Sequence, residues 1–211
     1  MKSDGCKELT TFPARKMLLQ LLNGFFFTRL NLTRIHVKDD PCISMTEMSK
    51  DEAIAFSLKY NIAKRGGLEY GDYYDQRKRV EDWLRTNAQK AGVITKKAWP
   101  IYFWLTKQSE ESLSTPERKI ISIAANKINL AVCSFTFDDS FYSHGASDTL
   151  RHPCHKKVLN AQGVHAAIDE HGFLLDLRAT PARYIEAQVW TSGEEISGWL
   201  QNNLNRNPSL T

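Results

Sequence analysis

Residues Pro100 to Thr106 read PIYFWLT, an almost unbroken apolar run headed by proline. That pattern predicts a buried strand with Pro at its first position, where no ladder N–H is required. Upstream of it the apolar residues recur at helical spacing; downstream they cluster in short strand-like runs. The chain therefore reads as one α+β domain over 1–211, with a mainly helical part over 1–92 and a mixed sheet part over 93–211. The helical half is expected to pack against the strand-rich half, and a helix over 193–204 closes the chain.

Three helices are predicted upstream. Residues 13–23 form a short one, stopped at Asn23-Gly24. Ser49 and Glu52 make an S-x-x-E capping box ahead of a second, whose apolar face is Ala53, Ile54, Leu58 and Ile62 and which ends at Gly66-Gly67. The third, near 70–91, carries Tyr73, Gln76, Val80, Trp83, Leu84 and Asn87 or Ala88 on one face, and stops at Gly92. FFFTRLNLTRI, from Phe25, is the one strand expected in this half.

Downstream, KIISIAA, AVCSFTF and YIEAQVW read as strands, HKKVL as a short strand, and DDSFYSHGASDTLRHP as a polar loop. Asn160 and Gly172 bracket a helix as N-cap and C′ residue. Ser192 and Glu195 form a second capping box before Ile196, Trp199, Leu200 and Leu204.

Composition limits the function classes. A hydrophobic content of 42% and a charged content of 25% describe a globular protein. A net charge of +4 permits a nucleotide or nucleic-acid partner, but is modest for a dedicated nucleic-acid binder. The apolar stretch Met17–Phe27 is far short of the about 20 residues that span a bilayer, so no membrane partner is expected. Four widely spaced cysteines without a CxxC pair suit reduced thiols and a cytoplasmic setting.

Five of the six histidines fall between His144 and His171. His152, Cys154 and His155 have the chemistry of zinc ligands, or of a thiolate with a neighbouring base, and so suggest a metal- or cysteine-dependent hydrolase. The tight H-x-C-H spacing around Pro153 argues against a metal there. Helical placement of His165 and His171 separates them from Cys154. Asp176 with Glu186 would be the carboxylates of a nuclease, though the usual lysine partner is missing.

Glu186 is the more informative residue. Alternation puts it in a polar row with Tyr184 and Gln188, opposite Ile185, Ala187 and Val189. Such a row is either the wet face of a half-exposed strand or the wall of a cleft. In SFTFDDS, Ser134, Thr136 and Asp138 alternate with Phe135 and Phe137 in the same way.

The succession PIYFWLT, KIISIAA, SFTFDDSFYSH and RYIEAQVW, over residues 99–190, resembles the second half of DarT-type, DNA-targeting ADP-ribosyltransferases. FFFTRLNL is similar to that family's opening FT…NL strand. The glycine that usually follows that strand is not evident here. The resemblance implies NAD as substrate, a nucleic-acid or protein acceptor, and Glu186 in the catalytic glutamate position. It also implies an essential arginine ahead of the Tyr-Phe strand, for which Arg77, Arg79 and Arg85 are candidates. Arg77 joins Glu186 in the expected catalytic set; Tyr102, Ser134, Thr136 and Arg85 form the expected cofactor-binding set. The alternative is a noncatalytic interaction or immunity-like regulatory protein that binds a protein partner through helix 70–91 or the polar strand face.

Overall fold

The computed structural model describes residues 26–37, 43–59, 69–107, 118–145, 153–173 and 184–204. Strands β1 (Asn31–Val37), β2 (Ile101–Thr106), β3 (Arg118–Ala124), β4 (Cys133–Phe137) and β5 (Ile185–Val189) form one antiparallel sheet in the order β3–β1–β2–β5–β4. Helices are α1 (Lys50–Lys59), α2 (Tyr70–Lys90), α3 (Ser140–Gly145), α4 (Ala161–His171) and α5 (Gly193–Leu204). The architecture is α+β, as the change of texture at Pro100 predicts. The helical half also gives the sheet an interior strand, β1.

The two faces of the sheet follow from side-chain alternation. Leu32, Leu105, Phe103, Phe135, Ala187 and Ile185 point to the main core, where Val164 and Ile168 of α4 and Ile196 of α5 complete the packing. The opposite face is polar. Thr33 Oγ1 lies 2.8 Å from Thr106 Oγ1 and 3.0 Å from Ser122 Oγ, a hydroxyl ladder across three strands. Farther along that face, α2 covers the sheet through a second apolar cluster of Val80, Leu84, Ala88, Val93, Val158 and Trp190.

The helix ends obey their sequence signals. Glu52 accepts from the Ser49 backbone N–H at 2.9 Å, and Ser49 Oγ accepts from the Glu52 N–H at 3.3 Å, so the first capping box is reciprocal. Asn160 Oδ1 accepts from the Gly163 N–H at 2.8 Å, while its Nδ2 donates to the Ala91 carbonyl at 2.7 Å. Gly92 and Gly172 adopt φ of 82° and 80° where α2 and α4 end. The second capping box is half formed. Ser192 Oγ accepts from the Glu195 N–H at 3.2 Å, but the Glu195 carboxylate turns to Thr191 and Lys96.

Several expectations give way to tertiary packing. Phe26 and Phe27 are helical, and the strand starts only at Asn31. Phe27 is buried in the core and Phe26 stacks on His165 with ring centroids 4.0 Å apart; neighbouring aromatics that both turn inward cannot belong to an alternating strand. In α1, Ser57 is buried and donates to the Ala53 carbonyl, while Leu58 is 60% exposed. The DDSFYSHG stretch includes α3 rather than being all loop. HKKVL makes a turn and a single bridge, Leu159 to Phe135, instead of a strand. The predicted helix over 13–23, Ile62 and the Gly66-Gly67 stop lie outside the described residues.

Truncating Phe135, which is fully enclosed between the strands and α4, is expected to cost about 3–5 kcal/mol as Phe135→Ala. Asn160→Ala, which removes the α4 cap, should cost about 1 kcal/mol. Urea unfolding of the two variants beside the parent measures both, and comparable losses would contradict this division of the core from its caps.

Candidate active site

The inner face of α2 is set by a 3–4 spacing, Tyr74, Arg77, Glu81, Leu84 and Ala88, all of which are buried. Two of these five are charged. Arg77 Nε donates to Glu81 Oε1 at 3.1 Å, one turn along the helix. The same Glu81 oxygen accepts from Tyr102 Oη at 2.8 Å and Ser44 Oγ at 3.2 Å, and Thr46 binds the other. Tyr102 belongs to β2, and Ser44 and Thr46 precede α1, so one carboxylate ties three parts of the fold together. The Arg77 guanidinium carbon lies over aromatic rings, 3.8 Å from the Tyr102 centroid and 5.1 Å from that of Phe141.

β5 lies between β2 and β4 and is buried on both faces. Its polar row is therefore no wet edge. Glu186 is opposite Trp104 on one side and Thr136 on the other; Gln188 is opposite Tyr102 and Ser134. Glu186 Oε1 accepts from the Ser140 backbone N–H at 3.3 Å and from Gln188 Nε2 at 3.0 Å. Among the described residues Oε2 has no hydrogen-bond partner.

A cleft of about 210 Å³ opens against this carboxylate. Its position follows from strand pairing. β1 pairs with β3 along its whole length, but with β2 only over Asn31–Thr33. Beyond Thr33 the sheet forks, and Arg34 of β1 and Phe103 of β2 stand on either side of the gap. Tyr102, Trp104 and Glu186 line the sheet side, Tyr73 and Arg77 the α2 side, and Asp139 the end of β4. Asp139 is fixed by Phe141 N–H at 2.8 Å and Tyr184 Oη at 3.1 Å. A larger cavity of about 460 Å³ beside the α4 N-terminus is lined by asparagines, a glutamine, glycine and apolar residues, and offers no titratable side chain.

Burial works against the Arg77 charge. The surrounding Tyr102, Tyr73, Glu81 and Glu186 outweigh it and hold the guanidinium above its ordinary value. Burial pushes the Glu81 carboxyl up, and Arg77 with the hydroxyls of Thr46, Tyr102 and Ser44 offsets part of that rise. The Tyr102 phenol is pushed well up by burial; Arg77 opposes this, and Glu81 and Glu186 add to it. Tyr102 thus remains a donor, and the cleft keeps a permanent cation beside an open carboxylate oxygen.

Of the residues singled out in the sequence, Glu186, Arg77 and Tyr102 meet at this cleft. Ser134 and Thr136 lie on the same sheet face but are fully buried, and they reach Glu186 only through Gln188. Arg79 and Arg85 sit on the outer, exposed side of α2 and do not line the cleft. Arg34, Glu81 and Asp139 were not foreseen. For Glu81 the available signal was its place in the 3–4 spacing with Arg77.

Among the described residues, the histidines of this segment do not converge. His144 packs edge-on to Trp83, His155 edge-on to Tyr142, and His165 stacks on Phe26. Cys154 is 4% exposed, and its thiol is pushed up by burial, a rise that Glu170 reinforces and Lys157 opposes. That is the wrong direction for a thiolate nucleophile. Among the described residues no group of three His, Cys, Asp or Glu side chains is placed to hold a metal; His152 and Asp176 lie outside them. Comparison with protein-family models, curated proteins and solved structures finds no match for the chain.

Glu81→Gln should cost about 3–5 kcal/mol, because it leaves Arg77 buried without its counter-charge. Replacing both, as Arg77→Met with Glu81→Leu, should cost less than Glu81→Gln alone; denaturant unfolding of the three proteins decides it. Separately, Cys154 should alkylate far more slowly than free cysteine at neutral pH, measured by peptide mapping after iodoacetamide treatment; rapid modification would reinstate a reactive thiol.

Proposed function

We propose that the cleft is the active site of an enzyme that cleaves the nicotinamide–ribose bond of NAD and passes ADP-ribose to an acceptor. The observation that carries this reading is the placement of Glu186, one carboxylate oxygen tied down and the other open, in a single cleft with Arg77 and Tyr102. Those residues are the ones the resemblance to DarT-type ADP-ribosyltransferases picks out.

The chemistry is coherent with the residues present. Departure of nicotinamide takes the bonding electron pair and leaves positive charge on the ribose, which a carboxylate beside it stabilises. The same oxygen can accept a proton from the incoming nucleophile. A charged arginine can bind the pyrophosphate by charge-assisted hydrogen bonds, and aromatic faces such as Tyr102 and Tyr73 can flank a flat ring. At about 210 Å³ the cleft is smaller than the about 300–1,000 Å³ typical of pockets that enclose a whole drug-sized ligand. It suits the nicotinamide–ribose end with the adjoining pyrophosphate against Arg77, and the adenosine end extending outside. The resemblance implies a nucleic-acid or protein acceptor. An interaction protein that docks through the polar strand face is disfavoured, since α2 covers much of that face and β5 is fully buried.

The test is nicotinamide release from NAD, followed by chromatography, with labelled NAD to detect transfer to DNA or protein. Glu186→Gln should lower the rate by at least about 100-fold and leave unfolding unchanged. Its amide oxygen can keep the contacts of Oε1 while its NH2 group takes the place of Oε2, which has no partner among the described residues. A parent protein that neither binds nor consumes NAD would sink this reading.

A further inference from the structure

The polar face behind Glu186 contains a chain of side chains with a fixed direction. Trp190 Nε1 donates to Ser134 Oγ at 2.9 Å, and Ser134 Oγ donates to Gln188 Oε1 at 2.9 Å. Gln188 Nε2 then donates to Glu186 Oε1 at 3.0 Å and to Thr136 Oγ1 at 2.9 Å. Thr136 Oγ1 passes its proton on to the Asp138 carbonyl at 3.2 Å.

The direction follows from the two ends. An indole N–H can only donate, so Ser134 accepts from Trp190, and an ionised Glu186 carboxylate can only accept, so it takes the Gln188 NH2. The Gln188 oxygen is thereby turned toward Ser134, whose single proton it receives. Trp190, Ser134, Gln188 and Thr136 are all 0% exposed, so no bulk water competes for these bonds. At the other end, the Ser140 backbone N–H is also a pure donor to Glu186 Oε1. Oε1 receives two protons it cannot refuse. Any proton that Glu186 itself carries then sits on Oε2, which has no hydrogen-bond partner among the described residues.

We infer that Gln188 is a positioning residue for Glu186, with its amide held by Ser134, which Trp190 in turn holds in place, so that the carboxylate exchanges protons only at Oε2. The inference rests on the reading of Glu186 as the reacting carboxylate. It explains why a strand enclosed on both faces contains a glutamine and a glutamate two residues apart: the amide saturates one oxygen and leaves the other to a ligand. It also gives Ser134 and Thr136 a role different from cofactor contact, since they orient the group that orients Glu186.

The experiment breaks the relay at positions that do not line the cleft. Ser134→Ala and Trp190→Phe are prepared with the parent, and folding of each is confirmed by urea unfolding. In NAD turnover, both should lower kcat by about 10-fold, the weight of one lost hydrogen bond, with KM unchanged within about twofold. In nitrogen-15 NMR, the Gln188 side-chain NH2 protons should be slow to exchange with solvent in the parent. They should exchange at least about 10-fold faster in either variant. A purely structural Ser134 would lower stability and leave kcat per folded molecule alone, which would overturn the proposal. So would unchanged exchange at Gln188, whether or not the protein consumes NAD. If the parent shows no NAD turnover, the functional reading fails by itself, and the exchange measurement still decides whether the relay exists.

Discussion

β5 is enclosed on both faces, yet two of its five side chains are polar, so those groups must find their partners inside the protein. Buried donors and acceptors left unpaired cost more than a made hydrogen bond returns. This constraint organises the interior of the site. Gln188 must find an acceptor for its NH2 group and a donor for its oxygen, and cross-strand pairing supplies Ser134 and Thr136 at the right registers. Trp190 closes the chain from the second apolar cluster. What remains after this internal pairing is one oxygen of Glu186.

The same logic applies to α2, with charges in place of amides. Arg77 and Glu81 fall on the face that packs on the sheet, and each would be severely destabilising there alone. Together they neutralise each other, and Tyr102, Ser44 and Thr46 take up other acceptor sites on the carboxylate. A buried pair of this kind is seldom the most stable solution; apolar residues of similar size often serve as well or better. Its presence beside a cleft is therefore easier to understand as the positioning of a cation for a ligand than as a device for stability.

Sequence patterns revealed the parts of this architecture that rest on local rules. The Ser49–Glu52 box, the Asn160 and Gly172 boundaries of α4, and the alternation that places Glu186 with Gln188 all depend on a few neighbouring residues, and all are found. What stayed hidden depends on tertiary context. Arg77 was one of three candidate arginines and Glu81 went unremarked, although their spacing with Tyr74, Leu84 and Ala88 puts both on the buried stripe. Phe26 and Phe27 looked like the start of a strand because aromatics favour strands, but both turn inward, which takes a helical backbone. The fork between β1 and β2 leaves no trace in a single sequence, since it lies in where pairing stops and not in which residues pair.

That fork is what turns a polar sheet face into a site. Had β1 and β2 paired along their full length, Arg34 and Phe103 would sit across a closed ladder, and Glu186 would face only the underside of α2. The separation begins just after Thr33, whose hydroxyl joins Thr106 and Ser122 and holds the three strands together at the last paired position. The ladder of hydroxyls and the open fork are thus two sides of one arrangement: side-chain bonds anchor the sheet where pairing ends, so that the backbone can part immediately beyond it. The cleft is as rigid as that anchor, and Glu186 is reached through it with its second oxygen already committed. The sheet thus holds Glu186 in place before any ligand arrives, which on the proposed reading is the condition under which a single carboxylate acts without reorganising its surroundings.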